Sequence, residues 1–296
     1  MKEVVVISGK GGTGKTSITA AFAALAESAV LADCDVDAAD LHLVLNPKIR
    51  HQFDFSGGKL AAIDPHKCIR CGKCAAMCRF DAIRLNGQGN DSVAKTYTVD
   101  PIACEGCKVC VEFCPVNAIS FEPAVNGKWF VSDTRFGPMV HARLGIAQEN
   151  SGKLVTLIRR EAKKIAEEQN KKLLIVDGSP GIGCPVIASI TGADVVVIVT
   201  EPTLSGLHDL ERVAQLTKNF GIKTLICINK ADINLHMSKH IAEHAEKQCL
   251  KVIGQIPYDD AFTKAQIMRA TVIEYAGGDI AEKIKALWQQ VVDALG

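Results

Sequence analysis

Gly9-Lys10-Gly11-Gly12-Thr13-Gly14-Lys15-Thr16 follows an apolar run at residues 4–7 and precedes a helical pattern that begins at Ser17. Glycines in such a loop let backbone N–H groups curl around phosphate oxygens, and the start of a helix adds the positive end of its dipole. Lys15 is placed to reach the outer phosphates of a nucleotide, and the Thr16 hydroxyl to ligate Mg2+. Strand, glycine loop and helix in this order are the context in which the spacing binds phosphate. Residues 9–17, from Gly9 to Ser17, are therefore the expected phosphate site.

Outward from this loop, short runs rich in Val, Ile and Leu recur at 4–7, 30–32, 173–176, 195–199 and 225–228, as strands covered on both faces require. Helical stripes lie between them: Leu154, Leu157, Ile158 and Ile165 mark one, and Leu207, Leu210, Val213 and Leu216 another. The βα rhythm predicts an α/β fold with a mostly parallel, doubly wound sheet. The last stripe, Ile280, Ile284, Leu287, Trp288, Val291, Val292 and Leu295, has only Lys283 and Lys285 as cations on its polar face, which favours docking on the sheet over membrane insertion.

Between about residues 63 and 121 cysteines replace the rhythm. Ile63-Asp64-Pro65 before Cys68 matches Val99-Asp100-Pro101 before Cys104, and Asp81-Ala82-Ile83 after Cys78 matches Asn117-Ala118-Ile119 after Cys114, always at an offset of 36 residues. That is a duplicated half-module, with the turn residues 87–90 between its halves. Each half carries the spacing C-x2-C-x2-C-x3-C of bacterial ferredoxins, in which the fourth cysteine ligates the other cluster. The expectation is two [4Fe-4S] clusters, one on Cys68, Cys71, Cys74 and Cys114, the other on Cys104, Cys107, Cys110 and Cys78. Zinc sites use two pairs of ligands rather than two runs of four. Arg79 stands where a proline is expected after Cys78, so the two clusters are expected to differ in potential.

The predicted organisation is a discontinuous nucleotide-binding domain at 1–62 and 122–296 with a small α+β, ferredoxin-like insert at 63–121. Lys+Arg 34 against Asp+Glu 33 leaves a formal charge of +1, which gives no global field to recruit nucleic acid or anionic lipid. The opening Met1-Lys2-Glu3-Val4 enters a strand without a signal-peptide core, and no apolar run approaches the roughly 20 residues of a membrane span. A cytoplasmic protein is expected, and in a reducing compartment eight clustered cysteines point to metal rather than disulfides.

Lys10, one place after the first glycine, makes the loop resemble the deviant Walker A motif of the family that contains MinD, ParA, the nitrogenase iron protein and the Mrp-type cluster carriers. The resemblance spans residues 1–62 and 122–296 and implies an ATPase that forms a homodimer on ATP, with Lys10 reaching the partner's nucleotide. It implies that Lys10 and Lys15 act in catalysis, that Asp35 of Asp33-Cys34-Asp35-Val36-Asp37 orients the attacking water, and that Asp33 or Asp37 lies near Mg2+. Asp177, which ends the run at 173–176, takes the Walker B position that holds Mg2+ with Thr16. Asn229, Asp232, Pro257, Tyr258 and Asp259 resemble adenine-pocket segments, although Asn-Lys-x-Asp is also a guanine-reading pattern. Cys184, seven residues after Asp177, resembles the cluster cysteine of the nitrogenase iron protein, but a small packed residue is the expectation, as for core thiols generally. Cys34, Cys227 and Cys249 read as core or surface thiols, and His208, His236, His240 and His244 as surface helix residues.

Three purposes fit these residues. Hydrolysis could gate electron transfer to a redox protein partner; the chain could be a positioning or assembly switch with redox-sensing clusters; or it could deliver clusters, although the Mrp-type carriers use an exposed Cys-x-x-Cys that this chain lacks.

Overall fold

A computed structural model describes residues 1–145 and 151–296. The chain forms two compact units, one of Met1–Phe53, Trp129–Arg143 and Ser151–Gly296, the other of Asp54–Lys128 with a short segment from Leu144. In chain order the elements are β1 (Lys2–Ser8), α1 (Lys15–Leu25), β2 (Ala29–Asp33), α2 (Leu41–Leu45) and β3 (Lys48–Phe55). Then come β4 (Gly58–Ile63), α3 (Lys73–Met77), β5 (Ile83–Gln88), β6 (Lys95–Val99), α4 (Val109–Glu112) and β7 (Ile119–Ala124). The chain continues through β8 (Gly127–Thr134), β9 (Gly137–Leu144), α5 (Ser151–Glu168), β10 (Leu173–Pro180), α6 (Cys184–Ile190), β11 (Val195–Thr200) and α7 (Leu204–Asn219). It ends with β12 (Lys223–Asn229), α8 (Leu235–Lys247), β13 (Lys251–Ile256), α9 (Ala261–Ile267), α10 (Val272–Tyr275) and α11 (Gly278–Leu295).

The first unit is built on a sheet of order β13-β12-β11-β1-β10-β2-β9-β8-β3. From β13 to β9 every pairing is parallel. β1 lies between β10 and β11, so the loop after it opens at the point where strand order reverses, which is where open α/β sheets bind ligands. Val195–Thr200 is buried along its whole length because helices cover both faces, and this explains its unbroken apolar run.

α11 docks through Ile280, Ile284, Leu287, Val291 and Leu295, all buried, and Trp288 flanks Phe22 of α1 at 5.1 Å. Each such side chain contributes about 1.5–3 kcal/mol of burial. Val292 falls off the expected stripe and is 41% exposed, since the step from 291 turns it about 100° away from the sheet. Among the described residues no helix is long and apolar enough to cross a membrane.

β3, β8 and β9 extend the sheet beyond the strands legible as apolar runs. β3 is exposed along Lys48–Asp54, as an edge strand can be, and its alternation of polar and apolar residues hides it from a search for buried strands.

The second unit holds two antiparallel pairs, β4 with β7 and β5 with β6. It is wider than the expected 63–121, because the ladder from Gly58↔Ala124 to Ile63↔Ile119 ties residues on both sides of those limits. The 36-residue repeat is visible in its backbone. Arg70 (φ 57°) corresponds to Gly106 (60°), Gly72 (75°) to Lys108 (67°), and Asp81 (49°) to Asn117 (50°). Left-handed residues at these matched places turn the chain between successive cysteines, and a small core of Ala61, Cys74, Ile83, Cys110 and Ile119 closes beneath them.

Candidate functional site

Gly14 adopts φ 89° at the N-cap of α1, and a Cβ there would stand 2.3 Å from Asn229 Nδ2. The same Nδ2 donates to Thr13 O at 2.8 Å, which fixes the orientation of the amide and fastens the end of β12 to the loop. Gly9 plays a packing part, since a Cβ on it would meet Asp209 Cβ of α7 at 2.3 Å.

Lys15 opens α1, is 5% exposed and extends its Nζ to Asp177 Oδ1 at 2.7 Å and Asp35 Oδ2 at 3.3 Å. Asp177, fully buried on β10, also accepts from Thr16 Oγ1 at 2.8 Å and Thr19 Oγ1 at 3.0 Å. Burial acts to lower the Lys15 pKa, but Asp177 and Asp35 outweigh it and the net direction is upward. Asp33 pairs with Asp177 in register across β2 and β10. Burial, and then the neighbouring Asp177, push its carboxyl well above the usual range, and its Oδ2 has no partner among the described residues. Asp33, Asp35 and Asp177 thus gather around one lysine, an arrangement short of positive charge. Asp37 is exposed and does not line the cavity here, so of the two outer-sphere candidates the buried one is Asp33.

An open cavity of about 420 Å³ joins residues 11–17, Gly11 to Ser17, to Asp35, Asn229, Pro257, Tyr258 and Asp259. Asp232 stays outside its lining and accepts from the Tyr258 backbone N–H at 2.5 Å, so it shapes the turn that presents Tyr258. Lys230 reaches Gly12 O at 2.9 Å, and Gln266 Nε2 donates to Ser17 Oγ at 2.9 Å. Lys230 stood only as part of the Asn-Lys-x-Asp pattern, and sequence reasoning missed Thr19, Gln266 and Glu201. The last forms an ion pair with Lys10 at 2.6 Å, and only its place just after a buried strand could have signalled it.

In the second unit, one concavity is lined by Cys68, Cys71, Cys74 and Cys114, and another by Cys78, Cys104, Cys107 and Cys110. These are the two cross-paired quartets read from the spacing. Cys74 and Cys110 are buried, and burial pushes the Cys74 thiol up to about 11. Among the described residues no three His, Cys, Asp or Glu side chains are placed to hold a single metal ion. Cys34 and Cys227 are core thiols, and burial raises Cys227 to about 12. Cys184 corrects the expectation of a packed residue: it is exposed at the first position of α6, following the exposed Ile182 and Gly183. Of the four histidines, His244 is half-buried against Glu211 at 3.1 Å rather than fully at the surface.

A glycine loop at the switch point of a parallel sheet, with Asp177 closing on Thr16, defines a P-loop nucleotide-binding protein. The chain belongs to the CobQ/CobB/MinD/ParA nucleotide-binding domain family, whose model matches residues 4–272. It is 31% identical to "Uncharacterized protein MJ0578" of Methanocaldococcus jannaschii, over 98% of this chain and 96% of that one. Its fold is similar to that of the cell division ATPase MinD of Pyrococcus furiosus, with TM-score 0.56 at 16% identity, covering 99% of this chain and 98% of that chain. The septum site-determining protein MinD of Pyrococcus horikoshii, complexed with Mg-ADP, gives TM-score 0.57 at 15% identity, covering 100% and 97%.

Proposed function

We propose that this protein is an ATP-hydrolysing dimerisation switch whose second unit carries two [4Fe-4S] clusters and links hydrolysis to electron transfer with a protein partner. The observation that carries the reading is the gathering of eight cysteines into two concavities of four, each drawing three thiols from one repeat and one from the other. Such quartets suit a cube, whose four irons each take one thiolate, and do not require the sulfurs to converge on one ion. Bound clusters would supply one-electron chemistry.

In the first unit, Lys15 and the N–H groups of residues 11–14 bind phosphate, while Thr16 and Asp177, with Asp33 behind them, suit Mg2+. A divalent ion there would offset the three carboxylates and give the unpartnered Asp33 Oδ2 a charge to face. Asp35, beside Lys15, is placed to orient water. Adenine is favoured over guanine by the shared fold with the Pyrococcus horikoshii MinD, whose complex holds Mg-ADP, while Asn229 Nδ2 is committed to Thr13 O. Lys10 acts on the nucleotide of a second copy, as an arginine finger does.

Metal analysis of anaerobically purified protein tests the cluster half. About eight irons per chain with [4Fe-4S] spectra are expected from the ligation rule for paired clusters, and stoichiometric zinc with negligible iron ends it. A pull-down with and without ATP separates redox gating from the assembly switch: a redox enzyme supports the first, a cytoskeletal or membrane-associated protein the second.

A further inference from the structure

The ammonium of Lys10 is saturated within its own chain. Its Nζ lies 2.6 Å from Glu201 Oε1, 2.8 Å from Ser205 Oγ and 3.5 Å from Thr203 Oγ1, and an ammonium has three hydrogens to donate. The place is an unfavourable one for a cation. Thr203 is the N-cap of α7, accepting from Gly206 N–H at 2.9 Å, and Ser205 lies in the first turn, where the helix dipole repels positive charge. Glu201 offsets that repulsion. Burial works to raise its pKa, but Lys10 and Lys230 outweigh it and hold the carboxyl below its usual value.

We infer that Glu201 is a positioning residue that holds Lys10 against its own subunit until a second copy of this chain draws the lysine across, so that Glu201 sets how readily ATP drives pairing. The inference rests on the proposed action of Lys10 in trans. The same carboxylate senses the nucleotide loop, because Glu201 Oε2 is 3.3 Å from Lys230 Nζ and Lys230 Nζ donates to Gly12 O at 2.9 Å. The two lysines share this carboxylate, so a phosphate that draws Lys230 away tightens the hold on Lys10, and release is left to the second copy. By linkage, whatever frees Lys10 and so favours the ATP-bound dimer must also raise the apparent affinity for ATP.

Sedimentation with a non-hydrolysable ATP analogue tests this, on Glu201→Gln, Ser205→Ala and Lys10→Ala. Glu201→Gln should dimerise at about tenfold lower protein concentration than wild type and Ser205→Ala at about threefold lower, since each removes a bond that exists only in the unpaired subunit. Neither change should restore a dimer when combined with Lys10→Ala. Ser205 does not line the nucleotide cavity, so Ser205→Ala decides the matter if Glu201→Gln disturbs Lys230 or the fold. Wild-type or weaker pairing in Ser205→Ala overturns the latch, and if Lys10→Ala is meanwhile defective, it overturns the latch alone. Normal pairing of Lys10→Ala overturns the trans lysine and the latch with it.

Discussion

Lys15 Nζ lies 2.7 Å from Asp177 Oδ1, with both side chains almost wholly withdrawn from water. The lysine proposed to reach phosphate and the carboxylate proposed to hold Mg2+ thus neutralise each other. Asp35 Oδ2 stands 3.3 Å from the same Nζ, so it is loss of the lysine that leaves buried carboxylates without a cation, at a cost of about 3–5 kcal/mol. Lys15→Met should lose about that much stability along with ATP hydrolysis, and adding Asp177→Ala should recover part of the stability and none of the activity. Urea unfolding of the two variants checks this.

Gly14→Ala places a methyl group where the backbone is left-handed and Asn229 Nδ2 stands 2.3 Å away. The strain is about 1–3 kcal/mol, and the displaced Asn229 loses Thr13 O. Affinity for a fluorescent ATP analogue should fall by about tenfold or more, measured by titration under conditions where the variant remains folded.

Lys10→Ala should retain nucleotide binding, because Lys15 and the loop N–H groups are untouched. ATP-dependent pairing should be lost, and turnover should fall by about 10³, the scale on which cations supplied in trans act. Steady-state phosphate release measures the second effect.

His141, on β9, is held with its Nε2 2.8 Å from Ser132 Oγ and its ring against His42 and Phe130. Burial first, then His42 and Arg143, lower its pKa from 6.5 to about 4. The unfolded chain therefore takes up this proton near 6.5 and the folded chain only near 4. The stabilising contribution is complete above pH 6.5 and is lost as pH falls toward 4, by at most about 3 kcal/mol. Asp33 and Asp35, whose carboxyl pKa values are raised by burial, act in the opposite direction, with stability that declines as pH rises above the unfolded carboxylate value. The difference between wild type and His141→Gln isolates the histidine: the variant should show the smaller loss between pH 7.5 and 5. Trp129 and Trp288 both belong to the first unit, so tryptophan fluorescence reports its unfolding alone.

The strands that could be read from sequence are those buried on both faces, such as β1 and β11, where an apolar run has one physical explanation. β3 escaped because exposure lets it carry Lys48, Arg50 and Gln52. Lys15, Thr16 and Asp177 were legible because local motifs place them. Glu201 was not, because its contact with Lys10 joins residues 191 positions apart (201 − 10) through the order of the strands. Cys184 misled because burial is a tendency of cysteines in cores, and this one begins a helix after an exposed glycine.

Under the proposed function, nucleotide and the clusters that the eight cysteines would hold share one free energy. Linkage then requires that a nucleotide which changes a cluster potential bind the oxidised and reduced protein unequally, with a tenfold difference equal to about 59 mV for one electron. The direct measurement is a redox titration of the anaerobic protein with no nucleotide, with ADP and with a non-hydrolysable ATP analogue. At least one cluster potential should differ between the ADP and ATP-analogue states by tens of millivolts, on the order of that 59 mV. Potentials that coincide in all three states would rule out the shared free energy.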